Sequence, residues 1–558
     1  MGYKIGLDFG TTNSTLSYID SSGNLETFRY PGPAGSDYIP SCVAITKNKT
    51  NESVRIGREA LRIAGNEDTE FYKDIKMILP RPQDEWKNLG WSGNKNPEEV
   101  INEYLKKFLL SDKRGDYSFK KEIGNIDGIV VSVPQAWMTR QPNHTARPKL
   151  EKIFKENLSL PLVQLISEPV AAAAYYSYWY KNHYKSAFQG NVLVCDMGGG
   201  TFDVTLCKLK GTKVEVLNND GNGISDLGKA GVYFDTKLLQ SAYKRSGDGS
   251  ELEIGSSVFY ELYKRLQEYK VDCAQFITEN IQTALLHPAY SKRLPIIESP
   301  LVCYMYEIEE AFAEVKQGIE TVLKRFLNIE KLAKDEASGK LKESDKTHID
   351  AVIFVGGFNE FELTRHTIKS FLENNKKYIS GEMNFIDEIN SRMAAKAISF
   401  GATLIANDYV QVEEIYPHTI GIVLEWKAIN SDKDKLRLVN KKSYIPLIKG
   451  KNKISKYKEP NFYNDYLLAF ESHPRLTIFI KPGSGEKIAE KEIPKTIDIS
   501  LPNFKPENRW KIGMKLDDSQ IAYIVFEDEL NKSYSKAYEL GNILTEMFGL
   551  DGLILSKD

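Results

Sequence analysis

The chain is 558 residues long, enough for about three or four domains with cores of their own. Its 74 basic and 76 acidic residues leave a formal charge of −2, without the basic surplus expected of a dedicated nucleic-acid binder. No stretch approaches ~18 continuous apolar residues, which argues against a membrane span. The N-terminus has no basic region or small-residue cleavage site, so a cytoplasmic location is expected. Cys42, Cys195, Cys207, Cys273 and Cys303 are odd in number, show no metal or redox spacing, and read as reduced thiols. The histidines are scattered, without the spacing of a metal site.

Ile5, Leu7 and Phe9 alternate as in a strand, and Leu16 and Tyr18 resume the pattern after Asp8-Phe9-Gly10-Thr11-Thr12-Asn13-Ser14. Gly10 permits close approach to a bulky anion, Thr11 and Thr12 add hydroxyls, and successive N–H groups converge. This predicts a phosphate-cradling hairpin with Asp8 facing a cation. The Pro/Gly content of residues 30–40 marks a loop, and 41–45 a strand. Helices are expected over 59–64 and 74–79, the second carrying Lys76 and stopped by Pro80 and Pro82. Residues 98–110 have helical periodicity, and 126–133 form an apolar strand closed by Pro134.

Residues 162–174 read as a strand, a turn and an alanine-rich helix, with Pro169 in the first helical turn. Glu168 stands at the junction, where it either faces a cleft or complements the helix dipole. The alanines suit a close helix crossing, and the aromatic run from Tyr175 to Tyr184 suits core or interface. Then Val192 to Leu206 repeats the opening device: an apolar strand, Asp196, the turn Gly198-Gly199-Gly200-Thr201, Asp203 and a second apolar strand. Two such copies far apart predict two pseudo-symmetric lobes, each giving one hairpin to a nucleotide between them.

Gly223 to Lys229 resembles a P-loop opening, but Ala230 stands where that motif needs a hydroxyl, so the match is by chance. Helices are expected over 234–243, 258–278 and 308–327, followed by a charged surface stretch over 331–347. Residues 349–357 form a buried strand ending in Gly356-Gly357, which either admits a flat base or merely makes a tight turn. Residues 391–407 form a second small-residue helix, a candidate partner for the first. Beyond 407 the short strands and frequent turns indicate an all-β module, with a helix expected over 537–548. The lysines from Lys441 to Lys458 fit a solvated loop or edge strand.

Five segments in one order resemble the actin-like ATPase domain of the 70-kDa heat-shock chaperone family: residues 8–14, 167–174, 196–203, 355–357 and 391–406. Residues 410–422 resemble that family's interdomain linker and first substrate-domain strand, and 445–449 and 510–527 resemble later strands of its peptide-binding sandwich. The resemblance implies an α/β two-lobed ATPase domain with duplicated ribonuclease-H-like sheets over 1–407. Within it lobe I would reach about residue 190, lobe II would cover about 191–390, and a return helix 391–407. A linker over 408–418, a β-sandwich over 419–535 and a short extension over 536–558 would follow.

ATP or ADP and Mg²⁺ are the implied cofactors, with K⁺ as a further candidate. By the same resemblance, Asp8 and Asp196, with Glu168 and Asp203 through water, would hold the magnesium. Gly10, Thr11, Thr12, Asn13 and Gly198, Gly199, Gly200 and Thr201 would wrap the phosphates. Lys76 would be the catalytic lysine, with Glu168, Asp203 and Thr201 beside it. Gly228, Glu268, Lys270, Gly356, Gly357 and Phe358 would line the nucleoside pocket.

Phe358-Asn359-Glu360 departs from the family's Ser-Thr-Arg, and Ala395 stands where an acid is usual. Gln411 and Glu413 interrupt the usual run of leucines, which implies weaker linker docking, and the arginine that should follow Pro134 is displaced to Arg140. No long helical lid follows the sandwich, so bound peptide would be held by the β module alone. The expected partners are unfolded or extended polypeptide, a J-domain co-chaperone and a nucleotide-exchange factor, with no nucleic acid and no membrane. A sugar kinase of the same superfamily and a non-hydrolysing nucleotide-binding protein remain open alternatives.

Overall fold

Ile5, Leu7 and Phe9 lie on one face of the first strand, and all three are fully buried. The computed structural model describes residues 2–32, 35–47, 52–87, 91, 93–135, 137, 146–221, 229–247, 249–386, 396–432, 435–465, 467–468, 472–473, 475–481, 493–501, 504–505 and 507–540. The chain divides into one unit of residues 1–136 and 149–412 and another of 137–148 and 413–558.

In the first unit, β1 (Gly2–Phe9), β2 (Asn13–Ile19), β3 (Leu25–Thr27), β4 (Asn125–Val133) and β5 (Leu162–Ser167) form a sheet in the order β3-β2-β1-β4-β5. A second sheet contains β6 (Gln189–Met197), β7 (Phe202–Lys210), β8 (Lys213–Gly221), β9 (Ala351–Val355) and β10 (Asn384–Ile386), in the order β8-β7-β6-β9-β10. The two paths match strand for strand. In each, a meander of three antiparallel strands leads into two parallel neighbours. The repeated acid-and-glycine motif thus sits at the β1–β2 turn in one sheet and at the equivalent β6–β7 turn in the other.

The helices that carry or flank the expected site residues are α1 (Glu168–Tyr184), α2 (Gly231–Ser246), α3 (Ser257–Asp272) and α4 (Ala397–Ala406). Small residues let α1 and α4 cross at backbone contact: a Cβ on Gly401 would lie 1.7 Å from the Ala171 carbonyl oxygen. A Cβ on Gly6 would lie 2.2 Å from the Thr403 nitrogen, so α4 also presses directly on β1. Ser17 and Ser399 share a hydrogen bond of 2.7 Å at that contact. A separate antiparallel sheet of Val43–Lys47, Glu52–Ile56 and Thr69–Tyr72 belongs to the first lobe.

The linker stretch is a strand, β11 (Gln411–Glu413), on the β8 edge of the second sheet, and the Gln411 N–H donates to the Thr212 carbonyl at 2.9 Å. Main-chain atoms make this bond, so the polar side chains of Gln411 and Glu413 do not prevent the pairing.

In the second unit, Thr419–Asp432, Lys435–Ile448, Arg475–Lys481 and Ile493–Asp498 form one antiparallel sheet. Arg509–Leu516, Ala522–Asp528 and Lys536–Glu539 are the main strands of another. Ile420, Ile422, Ile478 and Ile480 from the first meet Trp510, Ile512, Met514, Ile524 and Phe526 from the second in one apolar core. Alternate residues face inward on both sides, as sandwich packing requires. Residues 537–539 are strand rather than the expected helix, because the free edge of Ala522–Asp528 offers them backbone partners. The remainder of that expected helix, residues 541–548, lies outside the described residues.

The crossing of α1 and α4 predicts that Gly401→Ala lowers stability by about 1–3 kcal/mol through overpacking against the Ala171 backbone. Gly318→Ala, which meets open space within the helix Met305–Phe326, should leave the melting temperature unchanged or higher. Thermal unfolding of the two variants beside the parent chain checks the contrast.

Candidate functional site

Each bend is shaped by what lies beside its glycines. A Cβ on Gly199 would come within 2.3 Å of Thr12 Oγ1, and one on Gly200 within 2.6 Å of Thr11 Oγ1. The two bends therefore face each other at contact distance, and the two lobes meet where the motif repeats. Gly356 adopts a left-handed backbone, φ 83°, and a Cβ there would meet Asp196 Oδ1 at 2.4 Å. The bend at 198–201 is closed by the Gly198 N–H donating to the Thr201 carbonyl at 3.1 Å. It is tied to the start of α2 by the Gly231 and Val232 N–H groups, which donate to Gly198 and Gly199.

Asp8, Glu168, Asp196 and Asp203 are all buried at this junction, and so is Lys76. Lys76 forms a buried ion pair with Glu168. Ser132, the β4 residue in register with Asp8, donates to Asp8 Oδ1 at 3.0 Å. Thr201 donates to Asp203 Oδ2 at 3.1 Å. Burial, reinforced by the Glu168 charge and opposed by Lys76 and Ser132, pushes the Asp8 carboxyl up to about 7. Burial likewise drives Asp196 well above the usual carboxylate range, with Glu168, Asp203 and Asp8 adding to the effect. Its Oδ2 is buried without a hydrogen-bond partner.

These observations fit a divalent cation. Four buried carboxylates facing one lysine hold an excess of negative charge, and Asp196 has acceptor capacity to spare. Among the described residues, no three His, Cys, Asp or Glu side chains converge closely enough to hold a metal directly. Asp8, Glu168, Asp196 and Asp203 offer the hard oxygen donors that a hydrated magnesium would take.

The second lobe's side of the cleft differs in detail from the expected set. Lys270 does approach it, bonding Asp235 at 2.8 and 3.0 Å, and Gln267 donates to the same carboxylate at 2.6 Å. Glu268 instead points to solvent, because Gln267 and Lys270 share the inward face of α3 and Glu268 does not. Phe358 is buried among Phe234, Phe312 and Phe361, its ring 5.3 Å from the Lys270 ammonium. Asn359 donates to the Cys195 carbonyl at 2.8 Å and to the Val355 carbonyl at 2.5 Å, locking the ends of β6 and β9 together. Gly357 and Asn13 are exposed. Gly228, Ala395 and Arg140 lie outside the described residues, as does most of the P-loop-like stretch.

Sequence reasoning missed Asp235, Gln267 and Ser132. Ser132 had a signal, being a polar residue inside an otherwise apolar parallel strand. Asp235 had a weaker one, an acid in the first turns of a helix that follows a glycine-rich loop.

A family model described as Hsp70 protein matches residues 4–449. The chaperone protein DnaK of Thermotoga petrophila is 25% identical over 375 residues, covering 66% of this chain and 55% of the relative. That of Thermosipho melanesiensis is 25% identical over 465 residues, covering 80% and 67%. An HscA homologue of Vibrio vulnificus is 29% identical over 261 residues, covering 43% and 38%. The chain thus spans about half the length of the first of these curated relatives. Since the family match covers both facing bends, the Lys76 segment, β11 and the first strands of the second unit, the chain belongs to the Hsp70 family.

Proposed function

We propose that this protein is a slow ATPase whose nucleotide state controls the binding of extended polypeptide by its β-sandwich unit. The observation that carries this reading is the face-to-face approach of the bends at Thr11-Thr12 and Gly199-Gly200 over buried Asp8, Asp196, Glu168 and Lys76. Backbone N–H groups and the Thr11, Thr12 and Thr201 hydroxyls would bind the β- and γ-phosphates. Asp8 and Asp196, with Glu168 and Asp203 through water, would hold the magnesium, whose chemistry is to neutralise charge on the phosphate oxygens.

The reaction is in-line attack of water on the γ-phosphate. Glu168 or Asp203 orients that water by accepting its hydrogen bond. Lys76, paired with Glu168, stabilises the negative charge of the transferring group. Gly356 and Lys270 border the nucleoside, and Asp235 and Gln267 fix the direction of Lys270. Phe358 supports this wall from within the core.

Closure of the lobes about the nucleotide would pass to the sandwich through β11, whose main-chain pairing to β8 can form or break as a unit. The sandwich would take an extended chain by backbone hydrogen bonds and an apolar pocket. A J-domain co-chaperone and a nucleotide-exchange factor are the expected partners and the cytoplasm the expected compartment. Among the described residues, no helix is long and apolar enough to cross a membrane.

ATP hydrolysis measured with and without an unfolded polypeptide tests the whole reading. Stimulation is expected, and equal rates would reject coupling. Lys76→Ala should still bind ATP but slow single-turnover hydrolysis by about 10²–10³-fold; an unchanged rate would remove Lys76 from the mechanism. Asp8→Asn should abolish most hydrolysis yet stabilise the nucleotide-free chain, on the order of 1–3 kcal/mol, by relieving repulsion among buried carboxylates. A melting temperature that falls in that variant would contradict the charge excess inferred for the site.

A further inference from the structure

The segment that carries Lys76 also makes a second contact between the lobes, against α3. The strand Thr69–Tyr72 of the first lobe runs straight into Lys73, Asp74 and the short helix Ile75–Ile78 that bears Lys76. Phe71 meets Tyr260 of α3 edge to face, with centroids 5.1 Å apart and an interplanar angle of 77°. Two residues on, the Lys73 ammonium lies 5.2 Å from the Tyr263 ring centre and 5.6 Å from that of Phe259. Those two rings stack on α3 with centroids 5.8 Å apart, and Phe259 belongs to the core of the second lobe. At the end of the same helix, a Cβ on Gly65 would meet Ser257 at 3.1 Å, so backbone and side chains close together.

Asp74 joins this contact to the catalytic lysine. Its carboxylate pairs with Lys73 at 2.8 Å, while its carbonyl accepts from the Met77 N–H at 2.9 Å and so starts the helix carrying Lys76. Asp74 has a left-handed backbone, φ 52°, and Ile75 and Ile78 are buried, so the turn has little freedom to adjust alone. The Lys73 side chain is only 15% exposed. Burial opposes its charge, yet Asp74 beside it, with Tyr260 and Asp235 beyond, holds its pKa above the ordinary lysine value. A charged ammonium over two aromatic faces in a partly desolvated setting is an attractive contact.

We propose that Lys73 is a positioning residue: seated over Phe259 and Tyr263, it links the approach of α3 to the placement of Lys76, so that one contact both slows nucleotide escape and aligns hydrolysis. The proposal rests on the nucleotide site described above. With α3 seated, Lys73 holds Asp74 and Asp74 holds the Lys76 helix. With α3 withdrawn, the ammonium loses its rings and the cleft opens at its rim.

The full chain tests this through dissociation of N-methylanthraniloyl-ADP and single-turnover ATP hydrolysis. Lys73→Met keeps length and apolar bulk but loses the charge, and Tyr263→Leu removes a ring face while keeping the cation. Both should release the probe about tenfold faster and lower the single-turnover rate, whereas Lys73→Arg, which can still stack, should stay within about twofold of the parent on both readouts. If Lys73→Met proves too unstable to measure, Tyr263→Leu decides the matter. Parental release and hydrolysis rates in the variant that decides, or Lys73→Arg as impaired as Lys73→Met, would overturn the proposal while leaving the nucleotide site intact. A parent chain that binds no probe at all would overturn both.

Discussion

Four buried carboxylates, Asp8, Glu168, Asp196 and Asp203, share the space between two bends with one buried ammonium, that of Lys76. In water such a set would spread apart; here the close approach of Gly199 to the Thr12 hydroxyl and of Gly200 to the Thr11 hydroxyl holds the bends together, and the small residues of the α1–α4 crossing pack behind them. The unbalanced charge has two ways to settle. Protons can be retained, as the raised Asp8 and Asp196 carboxyls indicate, or a cation with its anionic ligand can be taken up. The raised carboxyls and the affinity such a set would have for a cation are thus opposite aspects of one electrostatic arrangement.

The nucleoside side of the cleft is built by different means. A phenylalanine at position 358 joins an aromatic core instead of presenting a polar group, and the Lys270 cation above it is held by Asp235. Asn359 turns inward to bind the carbonyls at the ends of two parallel strands. Of the three residues that differ from the family's usual Ser-Thr-Arg, Phe358 and Asn359 therefore have identifiable structural roles, stiffening the end of β9. Phe71 and Lys73 pack against rings on the same helix α3, so aromatic packing supports that helix at more than one turn.

The attachment of β11 depends on main-chain pairing. β11 joins the β8 edge by backbone hydrogen bonds, a mode of attachment that tolerates Gln411 and Glu413 where leucines are usual. Apolar side chains would add burial to such a docked strand; their replacement leaves a contact whose strength rests more heavily on hydrogen-bond geometry.

Much of this architecture was legible in local patterns. The alternation at Ile5, Leu7 and Phe9, the second Asp-Gly-Thr bend at 196–201 and the alanines of α1 each carry their conformation in a few neighbouring residues, because strand alternation, turn stereochemistry and helix packing are short-range effects. The repetition of a bend even indicated two lobes. What local patterns could not convey is which side chains meet across the fold. Glu268 and Gln267 are adjacent and equally able to face a ligand, and only the seating of α3 turned Gln267 and Lys270 toward Asp235. No local pattern singles out Lys73, which the second lobe seats over two rings, and residues 537–539 became strand because a free edge lay beside them. The sequence by itself determined the bends, the lobes and the acids that line them; the tertiary structure decided the partners of those acids and lysines, since charge and aromatic contacts depend on distances between segments that no local pattern encodes.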